Sequence, residues 1–239
     1  MIGSPGRGSL DVHTSVVQGE SLLRTLMHKS FIFPQVYRGV TKRTRGYLPH
    51  WELDGGVYFI TFRLADSLPS EVAARLDEER KALAASMVDA RGNLTAVDRC
   101  ELARLHAARL DRALDRGHGS CCLRNSEAAD VVKQTLELQN GIQYDLCAWC
   151  VMPNHVHVVV ELFSGTTLAR TLHAWKSYTA NAINRRLGRT GRLWQREYFD
   201  RLIRDREELL GTVQYVVDNP EKAGLVDWPW VWVKQAFDR

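Results

Sequence analysis

The chain predicts an α+β domain in which helices flank an antiparallel sheet, and three observations carry that expectation. Strand texture appears in VYFITFRL (57–64) and again in IQYDLCAWCVM (142–152). The second run breaks at Pro153-Asn154 and resumes as HVHVVVEL (155–162), which reads as a hairpin and so makes neighbouring strands antiparallel. Between the first strand and that hairpin, residues 70–140 place Ala and Leu at three- and four-residue intervals, the mark of amphipathic helices. The block is therefore a helical insertion after the first strand.

The elements follow in order. Residues 1–45 show no sustained period, with scattered Gly, Ser and basic residues, and are expected to form a poorly ordered arm. Order is expected near Trp51, where Asp54-Gly55-Gly56 signals the turn into 57–64. In the insertion, SEVAARLDEERKALAASMV and TAVDRCELARLHAARLDRALD read as helices, the second opened by a capping box of Thr95 with Asp98. A third helix, SEAADVVKQTLELQ, follows the turn at 117–119. After the hairpin come a helix over 167–187, a glycine-bounded loop at 188–191, a short strand around YFDRLIR, and a last helix that Asp205 caps and Pro220 stops. The domain is expected to span 46–230, with 231–239 as a tail; the aromatic stretch DWPWVWVKQAF should pack on the body.

At 239 residues the chain can bury a substantial core. No apolar run is long enough for a membrane span and no secretory signal opens it, so a cytoplasmic protein is expected. The five cysteines read as reduced thiols, and the C-x-x-C of Cys147 and Cys150 reads as part of a strand. Net charge is +4, unevenly spread: nine arginines and Lys176 against three acids give +7 over 166–206 and leave −3 elsewhere. Such a local excess suits a polyanion, and an ordinary solvated face is the bland alternative.

The chemistry concentrates in MPNHVHVVVEL (152–162). Alternate residues of a strand share a face, so His155, His157 and Val159 point one way and Val156, Val158 and Val160 the other. Two imidazoles so placed can converge on one ion; the alternative is a pair of satisfied histidines at a sheet rim. A third ligand and a nucleophile are wanted, and QYVVDNP offers Tyr215 and Asn219, one helical turn apart. An amide oxygen suits Mg²⁺ or Mn²⁺ and a phenol can attack. Alone the pair means little, because a helical Tyr is usually core and an Asn before Pro usually a cap.

Taken in order, MPNHVHVVVE, GRLWQREYFDRLIRD and YVVDNPEKAGLV resemble the single-tyrosine HUH transposases, in particular the REP-associated tyrosine transposases of bacteria. The resemblance runs from about 47 to 226 and includes YFITFRLADSLP. It implies a ferredoxin-like antiparallel sheet flanked by helices, a divalent metal held by His155, His157 and Asn219, and Tyr215 as nucleophile. The implied activity is metal-dependent cleavage and rejoining of single-stranded or hairpin DNA through a 5′-phosphotyrosine link, by a monomer or homodimer. Arg185, Arg186, Arg189, Arg192, Arg196, Arg201 and Arg204 are the residues expected to grip phosphates. No base for the Tyr215 proton is visible.

Two rivals remain at this stage. An amidohydrolase-type metal hydrolase also starts from His-x-His, but needs later histidine and aspartate ligands on strands, and only His173, on a helix, follows. A binding module that grips hairpin nucleic acid without cutting it would use the same basic segment.

Overall fold

The computed structural model describes Phe31, Phe33 and residues 41–45, 48–89 and 92–234. Most of the expected arm at 1–45 thus lies outside the described residues, as does the end of the tail, 235–239. Order begins earlier than the turn at 54–56 suggested, because β1 (Thr41–Arg45) pairs antiparallel with β2 (Leu48–Glu52).

The main sheet is five-stranded and antiparallel throughout. β3 (Val57–Arg63) pairs with β5 (His155–Leu162) and with β6 (Phe199–Leu202), while β4 (Tyr144–Val151) pairs with β5 and with β7 (Val231–Val233). The order is β6-β3-β5-β4-β7. Numbered by first appearance in the sheet, the first four strands lie 4-1-3-2 with a helix in each crossover, which is the ferredoxin-like arrangement, and β7 adds an edge. Every residue of β5 is buried, as befits a central strand covered on both faces.

The alternation of β3 and β5 sorts two cores. Tyr58, Ile60, Phe62, Val156, Val158 and Val160 face α3 (Ser126–Glu137) and α4 (Leu168–Arg186), where Trp175 and Leu136 complete the larger cluster. Val57, Phe59 and Val159 face α5 (Arg206–Lys222), which supplies Leu209, Val213 and Val216. A β-bulge between Leu146 and Ala148 turns Cys147 and Ala148 to this second face. Cys147 and Cys150 are both buried on β4, in line with the strand reading of C-x-x-C.

The 70–140 block divides. Its last helix, α3, belongs to the sheet core, whereas α1 (Ser70–Met87) and α2 (Ala96–Leu114) form a pair with a small cluster of their own around Leu76 and Leu114. The capping box of Thr95 and Asp98 opens α2, with both reciprocal hydrogen bonds present. From α2, Ala103 and Ala107 reach the α5-side core, so the insertion covers the sheet beside α5.

Pro220 does not stop the last helix, which runs to Lys222. It sits in the final turn, where a missing N–H removes one hydrogen bond and the Asn219 and Pro220 carbonyls still find the Ala223 N–H. Asn219 is consequently inside the helix and 1% exposed, not an end cap. The tail docks as expected: Trp232 stacks on Trp149 and Trp228 donates to the Val151 carbonyl at 2.8 Å.

Gly119, after α2, has φ +84°, and a Cβ there would collide with the Asp66 backbone carbonyl. Gly119→Ala is therefore expected to lose roughly 1–3 kcal/mol of stability, measurable by urea titration.

Candidate active site

The histidines lie where the strand period placed them, on the α5 face of β5. His157 is level with Thr61 on β3 and Cys150 on β4. Their Nε2 atoms approach to 3.0 Å. Both rings are 0% exposed, and burial holds His155 well below and His157 down to about 3, so both are neutral at physiological pH.

Neighbours set the tautomers. Asn154 donates its amide hydrogens to the carbonyls of Leu114 (3.0 Å) and His118 (3.2 Å), which leaves its Oδ1 to accept from His155 Nδ1 at 2.7 Å. A neutral His155 protonated on Nδ1 has a bare Nε2. His157 Nδ1 meets the Thr61 hydroxyl at 2.8 Å, a partner that can donate or accept and so suits either tautomer of His157. With the His157 proton on Nε2 the two rings share a hydrogen bond; with it on Nδ1 two lone pairs face one point.

The tyrosine joins them. The Tyr215 ring stands edge-on to His157 at 5.6 Å and to Phe59 at 5.9 Å. Its hydroxyl donates to Asp111 Oδ2 at 2.8 Å, and the Asn219 side chain interacts with the same phenol. Tyr215 and Asn219 line one cleft of roughly 500 Å³ together with Phe59, Asp111, Asp115 and Arg201. The Asn219 Oδ1 is buried there without a hydrogen-bond partner. Tyr215 ionises less readily than a free phenol, first through burial and then through the charge of Asp111.

Among the described residues no three His, Cys, Asp or Glu side chains form a metal-binding group. Two imidazoles and an amide are a different donor set, and they fit a divalent ion on two counts. Adjacent ligands of an octahedral ion at about 2.1 Å lie about 3 Å apart, which matches the Nε2 separation, and Asn219 offers an unused oxygen. Tyr215 links the set, its ring edge-on to His157 and its phenol beside the Asn219 side chain.

Asp111 and Asp115 were not singled out from the sequence. They stand four apart on α2, in a helix whose acids and bases nearly cancel, so nothing local marks them; only the packing of α2 beside α5 brings them to the cleft. Burial raises Asp111 to about 7 and Asp115 to about 6. Raised folded values mean that the native state keeps protons which the unfolded chain releases above about 4, so stability is highest in acid and falls as pH rises through about 4–7. Asp111→Asn is expected to flatten that decline in thermal melts, gaining on the order of a few kcal/mol over the parent at pH 8.

The arginines divide as well. Arg185, Arg186, Arg192 and Arg196 are exposed at the end of α4 and along the following loop, and Arg189 reaches Ser120 at 3.1 Å. Arg204 is exposed but bonds Glu208 at 3.0 Å. Arg201 is different: it lies 3.4 Å from Glu208, donates to Thr212, and lines the cleft with Tyr215. Two other tyrosines near this basic stretch are elsewhere, Tyr178 60% exposed on α4 and Tyr198 under Lys176.

Residues 122–219, from the 3₁₀ turn before α3 to Asn219, match the family described as transposase, IS200-like. Over that segment the chain is similar to IS200-like transposases. Within 121 residues, 44% of this chain and 66% of the relative, it is 29% identical to a candidate REP-associated tyrosine transposase of Haemophilus influenzae. The match thus spans just under two thirds of that relative. Two solved structures are similar: a REP-associated tyrosine transposase bound to a REP hairpin (18% identity, 80% of this chain and 82% of that one, TM-score 0.41), and a candidate transposase from Deinococcus radiodurans R1 (17%, 75% and 98%, 0.31). The IS200-like segment includes the histidine pair, Tyr215 and Asn219, but α1 and α2 lie outside it. No helix among the described residues is long and apolar enough to cross a membrane.

Proposed function

We propose that this protein is a metal-dependent single-strand DNA endonuclease and strand transferase that cuts and rejoins hairpin-bearing DNA through Tyr215. The observation that carries the reading is the Tyr215 ring against His157, with the unpartnered Asn219 oxygen in the same cleft. The similarity of residues 122–219 to IS200-like transposases supports the substrate class.

His155, His157 and Asn219 would hold Mg²⁺ or Mn²⁺, and the bound ion would supply charge stabilisation to a non-bridging phosphate oxygen. Tyr215 Oη attacks the phosphorus, forming a 5′-phosphotyrosine bond as the bond to O3′ breaks. The link conserves the phosphodiester energy, so a 3′-hydroxyl can reverse the step. Phe59 and the cleft wall hold the phenol in place, and Arg201, beside it, can pair with the phosphate.

Incubating the protein with end-labelled hairpin DNA and Mn²⁺, followed by denaturing gel analysis, tests the proposal; the expected product is a covalent protein–DNA adduct. The complete burial of both imidazoles favours one other reading, a hairpin-binding protein that does not cut. In that case the denaturing gel shows no adduct, while a native gel of the same mixture still shows a complex.

The basic surface makes a separate prediction. Hairpin binding should weaken with salt, and replacing Arg192 and Arg196 by alanine should lower the log–log salt slope by about 1–2, measured by fluorescence anisotropy. Arg201→Ala, whose side chain is in the cleft, should slow cutting more than it weakens binding.

A further inference from the structure

We infer that Asp111, on the inserted helix α2, is the catalytic base that takes the phenolic proton of Tyr215 as its oxygen attacks DNA. The inference rests on the cleavage reading above and adds to it a residue from outside the IS200-like segment.

The geometry is that of a proton already directed at its acceptor. Tyr215 Oη donates to Asp111 Oδ2 at 2.8 Å, within reach for direct transfer. Asp111 is 9% exposed, and among the described residues Tyr215 is its side chain's hydrogen-bond partner. Its surroundings are mixed in charge. Asp115, Arg104 and Arg112 line the cleft from its own helix, Tyr215 and Lys222 from α5, and Arg201 from β6. Arg201 favours the carboxylate, while burial and Asp115 oppose it, so the group stands near 7, where a base is part ionised and still strong enough to accept.

The step balances. The Oη–H bond breaks and its proton passes to Asp111 Oδ2; the freed pair forms Oη–P. The pair of the breaking P–O3′ bond stays on O3′, which takes a proton from water. In rejoining, a 3′-hydroxyl gives its proton to solvent as its oxygen attacks phosphorus, the P–Oη bond breaks, and Tyr215 leaves with the proton returned by Asp111. α2 thereby does more than cover the sheet.

A structural latch would use the same hydrogen bond, so the test needs a readout that a latch does not move. In Asp111→Asn the side-chain oxygen still accepts from Tyr215, but it cannot take the proton. Adduct formation on hairpin DNA with Mn²⁺ is followed from pH 5.5 to 9.5 for the parent and this variant. The expected parent rate rises through about 7 and levels off. The variant is expected to react roughly 10²–10⁴-fold more slowly at neutral pH, to lose that inflection, and to bind hairpin unchanged. A variant that keeps the parent rate, or that is slow with the parent pH profile, overturns the assignment while leaving the cleavage reading intact. No adduct from the parent overturns both. Should Asp111→Asn not fold, Asp111→Ala with added formate replaces it: a tenfold or greater rescue supports the base, and none overturns it.

Discussion

Tyr215→Phe is expected to form no covalent adduct with hairpin DNA at any pH, while retaining hairpin affinity. The substitution removes one oxygen and leaves the ring that Phe59 and His157 contact at 5.9 and 5.6 Å, so the wall of the cleft survives. Among the described residues Tyr215 is the one phenol lining the cleft; Tyr178 is exposed on α4 and Tyr198 lies under Lys176. Stability should respond in a pH-dependent way. At pH 8 the variant leaves an ionised, buried Asp111 without its donor, at a cost of about 1–3 kcal/mol. Near pH 5 Asp111 is protonated, and the cost should shrink. A phenylalanine variant that still forms adduct would remove Tyr215 from the mechanism, and paired urea melts at the two pH values check the rest.

The second large effect is expected at the imidazoles. His155→Ala and His157→Ala should each slow Mn²⁺-dependent cutting by roughly 10²–10⁴-fold, since loss of charge stabilisation at the phosphate is worth several kcal/mol. Calorimetric titration of Mn²⁺ into the protein without DNA gives an independent readout, and both variants should show the binding event lost. Parent protein without a saturable Mn²⁺ site would dismiss the ion altogether. Asn154→Ala probes the support: it removes the oxygen that keeps His155 protonated on Nδ1, and about 10–100-fold weaker Mn²⁺ binding is expected.

Much of this arrangement was legible beforehand because it is periodic. Alternation in HVHVVVEL assigns the two histidines to one face, and the 4-1-3-2 order is the ferredoxin-like sheet that the resemblance implied. The last helix was placed, but its end was not, because a proline in the final turn disturbs a single hydrogen bond and does not terminate the element. The bulge at 146–148 was hidden, since one extra residue leaves an apolar run looking apolar. Thr61 looked like one more β-former in VYFITFRL, and its hydrogen bond to His157 depends on strand register. Asp111 was least visible. Its significance arises from how α2 lies on the sheet, and an amphipathic helix with balanced charge does not announce where it will dock.

The bonds from Asn154 to the Leu114 and His118 carbonyls bear on any attempt to shorten this protein. Lying outside the IS200-like segment, the α1–α2 hairpin looks like an optional ornament, to be trimmed at 70 and 119. Here trimming would strip the hairpin turn of the two acceptors that orient its amide, free that amide to rotate, and let the first imidazole exchange its proton between nitrogens. A minimal version would need a replacement acceptor built at the β4–β5 turn before it could be expected to keep an ordered histidine pair.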